Sequence, residues 1–154
     1  MSGEMLEEPG TGSPPDAVAW ARITDTPLDL GEHLKAVAGP GCGAVVTFVG
    51  QIRDHDPGAS GSVERVEYSA HPEAAAILEQ IARELAGPDI RIAVSHRSGA
   101  VEVGEPALIA CVASAHRAPA FEASSALIER IKSEVPIWKR QVETDGSHNW
   151  QGLT

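Results

Sequence analysis

An α+β (mixed α/β) fold is predicted by two features of the chain. Segments with strand patterning are interleaved with two or three helical ones. In addition, Ile90, Ile92 and Val94 alternate with Arg91, Ala93 and Ser95, and the continuously apolar run 107–113 follows closely. That succession fits hairpin-like neighbours better than a doubly wound sheet. No internal repeat is found. The 154 residues suit a single domain over 17–154.

Each element has its own signal. Residues 1–16 hold three Pro, three Gly and four acids with no base, the composition of a disordered tail. Residues 18–23 read as a short strand and 28–38 as a short helix closed by Gly39-Pro40. The β-branched run 43–49 predicts a buried strand. Residues 53–62, with Asp54-His55-Asp56-Pro57-Gly58 and Gly61, read as a mobile loop, and 63–68 as a strand. Pro72 opens a helix over 72–86, stopped by Gly87-Pro88, with Ala74, Ile77, Leu78, Ile81 and Leu85 on one stripe. Residues 90–96 predict a half-buried strand, 107–113 a central one, and 119–134 a last helix ending before Pro136.

The formal charge of -10, from 12 basic and 22 acidic residues, argues against nonspecific binding to nucleic acid or anionic membrane. No apolar run approaches the roughly 20 residues that span a bilayer. No basic start leads into an apolar stretch, so no secretion signal is expected and a cytoplasmic protein is read. Cys42 and Cys111, in apolar surroundings, read as buried inert thiols. Asp54-His55-Asp56 has metal-ligand residue types, but no second His or Cys spacing supports a metal. No phosphate-binding glycine loop or Gly-x-Ser-x-Gly elbow occurs. Trp20, Trp138 and Trp150 are scattered and suggest no stacking platform.

The chemistry points to the end of the last helix. Of only three lysines, Lys132 and Lys139 sit seven positions apart, in a segment that continues to Arg140. Such a cluster suits an anionic ligand. Counting about 100° per residue from Ile128, Phe121, Ser124, Ile131 and Val135 share an apolar stripe, with Lys132 roughly 40° from its centre. Lys132 is then either a border lysine whose stem covers apolar surface or a partly desolvated, nucleophilic amine. Ser114-Ala115-His116-Arg117, between a central strand and a helix start, is either an anion site or a capping turn. Arg53, past the 43–49 strand, is either a ligand contact or a surface arginine.

Four segments together resemble the MoaE family, the large catalytic subunits of molybdopterin synthase. They are Phe48-Val49-Gly50-Gln51-Ile52-Arg53; His96-Arg97-Ser98-Gly99 with Val103-Gly104-Glu105; Ser114-Ala115-His116-Arg117 with Ala120-Phe121-Glu122-Ala123; and Lys132 through Pro136 to Trp138-Lys139-Arg140. The match spans about 41–140. The resemblance implies an α/β hammerhead-type fold with an additional antiparallel sheet. It also implies a homodimer that binds two small ubiquitin-like sulfur carriers, making a heterotetramer. Each carrier would end in a Gly-Gly thiocarboxylate, and its sulfur would pass to cyclic pyranopterin monophosphate to form the dithiolene of molybdopterin. By position, Lys132 and Lys139 match the family's catalytic lysines. Gln51, Ile52, Arg53, His116, Arg117, Arg140 and Gln141 match the substrate-pocket lining. Gln51 stands where a lysine is common and Gln141 where a Glu is common. The His-Arg pair can come from the neighbouring subunit. That chemistry needs no cofactor and no metal. Two other readings of the residues stand beside it: a Schiff-base lyase using Lys132, and a non-catalytic module that binds a ubiquitin-like tail.

Overall fold

A computed structural model describes residues 17–55 and 61–151. The tail expected at 1–16 and the centre of the 53–62 loop lie outside the described residues. In chain order the elements are β1 (Val18–Thr24), α1 (Leu30–Val37), β2 (Ala44–Gln51), β3 (Val63–Ala70), α2 (Ala74–Leu85), β4 (Arg91–Arg97), β5 (Gly99–Glu102), β6 (Pro106–Ser114), α3 (Arg117–Glu134), β7 (Ile137–Glu143) and β8 (His148–Gln151). The α+β class is the one observed. One sheet has the order β1-β4-β6-β2, with β1 parallel to β4 and the other pairs antiparallel. The second sheet, β5-β3-β7-β8, is antiparallel throughout.

The first sheet carries helices on both faces. Leu78 and Ile81 of α2 and Leu127, Ile128 and Ile131 of α3 pack on Ile92, Val94, Leu108, Ala110 and Val112 to form the main core. The opposite face buries Ala93, Ile109, Cys111 and Ala113 with Val37 of α1. β6 is central and almost wholly buried, as its unbroken apolar run requires. The equally β-branched β2 is an edge strand instead, and its Val45 is exposed. Composition reports a pleated surface but not how many neighbours the strand has.

Two further expectations shift. Phe121 is 60% exposed, while Ala120, Ala123 and Leu127 are buried. The buried face of α3 is therefore centred roughly 70° from Ile128, on the side where small alanines let the helix approach the sheet. Cys111 is buried, but Cys42 only partly so; both are free thiols. β5, β7 and β8 had no separate sequence signal.

The two sheets meet where β4 hands over to β5 across Ser98. Gly99 has φ +80°, a left-handed conformation that glycine adopts without a Cβ penalty. Buried Arg97 clasps this corner, donating to the Ala100 carbonyl at 3.0 Å. Farther back on β4, Ser95 anchors α1. His33, fully buried, donates from Nδ1 to the Asp29 carbonyl at 2.7 Å, so Nε2 is left to accept from Ser95 Oγ at 2.8 Å. Ser95 Oγ in turn accepts from Trp20 Nε1 at 3.0 Å and Arg22 Nε at 3.2 Å. Every capacity of this hydroxyl is used.

Replacing Ser95 by Ala strands one buried acceptor and two donors. The unfolding free energy, from urea titration, is expected to fall by about 2–3 kcal/mol.

Candidate active site

The end of α3 is placed by packing. Ile131, Val135 and Ile137 all enter the main core, and the chain reverses between them at Pro136, whose carbonyl accepts the His71 N–H at 3.0 Å. This reversal brings Lys132, in the last helical turn, and Lys139, on β7, to one cavity of about 70 Å³. The helix terminus also favours a cation, since the last carbonyls point there. The remaining walls are Tyr68, His96 and Leu108. Lys132 is exposed and makes no ion pair or hydrogen bond with any described residue.

A second cavity, of about 110 Å³, adjoins the first through the shared walls Tyr68 and Lys139. It is lined as well by Gln51 at the end of β2, by Ile52 and Arg53 just past it, and by Gln141 of β7. Ile52 serves as packing: it is buried, its N–H donates to the Glu105 carbonyl at 3.1 Å and its own carbonyl accepts from Gly104 at 2.8 Å. Those bonds hold the segment that presents Arg53. Among the described residues, the two chambers are lined by Lys132, Lys139 and Arg53 and by no carboxylate. This is a local cationic site in a strongly acidic chain.

The pleat of β7 separates neighbours that look equivalent in sequence. Lys139 lies opposite Tyr68 and faces the chambers, whereas Arg140 lies opposite Glu67 on the other face. There Arg140 pairs with Glu67 and sits over the Trp150 ring at 5.6 Å. Hydrogen bonds from Arg140 and then Arg65 hold the Glu67 carboxyl below its ordinary pKa. Arg140 thus lines neither chamber. Trp138 is on the same outer face, by the same alternation, so two of the three tryptophans share one surface.

His116 and Arg117 stand at the opposite end of α3, exposed, with His116 as the N-cap residue. At about 1.5 Å per residue, the 15 or 16 helical steps between them and Lys132 span roughly 23 Å. They do not meet the lysines within one chain. The strand end beside them already holds an anion of its own. Asp89 accepts from Ser114 Oγ at 3.0 Å and from the Ala115 N–H at 3.2 Å.

Sequence reasoning passed over two wall residues, His96 and Tyr68. The signal for His96 was available: it is the next inward position after Ile92 and Val94 on β4. Its Nδ1 donates to the Arg97 carbonyl at 2.7 Å and its ring meets Tyr68 edge-on at 5.0 Å. Burial, with a smaller effect from the Lys132 charge, lowers its pKa to about 4. Burial raises the Tyr68 phenol to about 12. Both groups are therefore neutral at pH 7.

A family model described as MoaE protein matches residues 23–134. Molybdopterin synthase catalytic subunit 1 of Mycobacterium tuberculosis is 40% identical over 139 residues, covering 88% of this chain and 92% of that protein. The molybdopterin synthase catalytic subunit of Bacillus subtilis is 38% identical over 133 residues, covering 84% and 83%. The crystal structure of molybdopterin synthase from Staphylococcus aureus aligns with a TM-score of 0.77 at 33% identity, covering 86% of this chain and 96% of that one.

His33 and His96 both have folded pKa values below the ordinary 6.5, chiefly through burial. The unfolded chain therefore binds more protons, and stability present above about pH 6.5 is lost as pH falls toward about 4. Urea titrations should give a smaller unfolding free energy at pH 5 than at pH 7. The gap should narrow in His96→Gln.

Proposed function

The chain belongs to the MoaE protein family, and we propose from that premise that it is the catalytic subunit of a molybdopterin synthase. It passes sulfur from the C-terminal thiocarboxylate of a small ubiquitin-like carrier to cyclic pyranopterin monophosphate, forming the dithiolene of molybdopterin. The observation that carries this reading is the convergence of Lys132 and Lys139 on one small cavity, which shares Tyr68 and Lys139 as walls with a second lined by Arg53. Both reactants are anions, and the two chambers bring three cationic side chains together in a chain of formal charge -10.

The chambers divide the work. The narrower one, walled by Leu108, Ile131, Val135 and Ile137, suits a slender glycine tail with its terminal charge between the two ammonium groups. The other, with Arg53, Gln51 and Gln141, suits the cyclic phosphate and the polar pterin edge. Lys139 and Tyr68, shared by both, stand where sulfur would pass. Ammonium groups beside the attacked carbon stabilise the charge that builds there, and they require no rearrangement at the moment of reaction.

His116 and Arg117 join the site from a second copy. β2 is the open edge of its sheet, with Arg53 just past one end. At the other end Gly43 abuts the Ala115 carbonyl so closely that an added Cβ would lie 2.8 Å from it. Two β2 edges docked antiparallel would set each copy's His116-Arg117 beside the other's Arg53. With one carrier per site, the assembly is a heterotetramer. The free thiols Cys42 and Cys111 support a reducing, cytoplasmic setting.

With a thiocarboxylated carrier and the cyclic pterin, Lys132→Ala should lower molybdopterin formation by at least about 100-fold with an unchanged thermal unfolding midpoint. Full turnover in that variant would end the proposal. Lys139→Ala should cost more than Arg140→Ala, whose side chain faces away. Mixing Lys132→Ala with His116→Ala, each inactive alone, should restore roughly a quarter of normal turnover, because half of randomly exchanged dimers are mixed and each holds one intact site.

A further inference from the structure

His96 is a wall of the narrow chamber to which the chemistry above gives no task. Its orientation is unambiguous. A carbonyl oxygen only accepts, so the 2.7 Å contact from Nδ1 to the Arg97 carbonyl puts the ring proton on Nδ1. Nε2 then carries a lone pair, and no described residue donates to it. The edge-on contact with Tyr68 at 5.0 Å restricts ring rotation. The charged and titratable groups sharing the chamber are Lys132, Lys139 and Tyr68. The two ammonium groups donate and cannot accept. The chamber thus offers strong donors for an anion and one fixed nitrogen acceptor.

That combination selects among anions. A cyclic phosphate monoanion presents only acceptors and leaves Nε2 unpaired. A peptide ending in glycine presents a terminal anion and, one Cα away, the N–H of its last peptide bond. We propose that His96 is a specificity-determining residue for the carrier tail, its Nε2 accepting the last peptide N–H while Lys132 and Lys139 hold the terminal thiocarboxylate. This rests on the reading of the protein as a carrier-dependent sulfurtransferase. Burial keeps the ring neutral at working pH, so the acceptor is not lost to protonation.

The test removes the donor from the ligand and the acceptor from the protein in turn. The probes are a ubiquitin-like carrier ending in Gly-Gly with an ordinary terminal carboxylate, and its semisynthetic counterpart ending in Gly-N-methylglycine. Binding is measured by calorimetry at pH 7.5. N-methylation should weaken binding to the unaltered protein about tenfold, and to His96→Phe not at all. His96→Gln, which can place an amide oxygen near the Nε2 position, should retain part of the discrimination. Equal losses in the unaltered protein and His96→Phe would overturn the inference. A second measurement needs no variant: the nitrogen-15 resonance of His96 Nε2 should move upfield with the Gly-Gly carrier and stay in place with the N-methyl one. Movement with both, or with neither, would overturn it. If the Gly-Gly carrier fails to bind the unaltered protein at all, the underlying reading of a carrier-dependent enzyme falls, and this inference with it.

Discussion

Like charges do not gather unaided, and the site depends on packing that holds two ammonium groups at one cavity. Repulsion between Lys132 and Lys139 in a partly wet cleft is on the order of 1 kcal/mol. Burying Ile131, Val135 and Ile137 contributes about 1.5–3 kcal/mol each. The apolar term wins, and it acts on the residues next to and between the lysines. The turn at Pro136 then fixes how the helix end faces the strand. The cations are thus assembled before any ligand arrives. Preorganisation of this kind is what a charge-stabilising site requires.

The junction between the two sheets supplies the other half of the geometry. β4 brings His96 to the end of the first sheet, Gly99 turns the corner, and β3 and β7 of the second sheet bring Tyr68 and Lys139 opposite each other. Neither sheet alone would enclose a chamber. Apolar clusters on both sides of the junction include Tyr68, so the wall between the chambers is also part of the core. The floor of the site is accordingly hard to alter without cost to the fold.

Much of this was legible in the sequence, and the gaps have physical causes. The helices were legible because their apolar stripes and proline or glycine boundaries are local signals. The central β6 was legible because a strand covered on both faces has no polar alternation. β2 read as buried because its composition resembles that of β6; only the absence of a second strand neighbour distinguishes it. β5 and β7 were not resolved because both pair with β3, distant in sequence, and β8 because it is only 4 residues long. At the site, Lys132 and Lys139 were legible as a pair in a lysine-poor chain. Arg140 looked equivalent to Lys139 until the pleat of β7 assigned it to Glu67. His96 was hidden inside an apolar alternation that it simply continues. Ser114-Ala115-His116-Arg117 read as either an anion site or a capping turn, and the sequence could not choose because Asp89, which takes up the strand end, lies 25 residues away.

The position of Tyr68 has a practical consequence. It is the only tyrosine in the chain, and it walls both chambers at once. Biosynthetic incorporation of fluorotyrosine would therefore place a single fluorine nucleus between the two chambers, with no background from elsewhere in the protein. One resonance would register arrival at either chamber, and the order of arrival could be followed without a substitution.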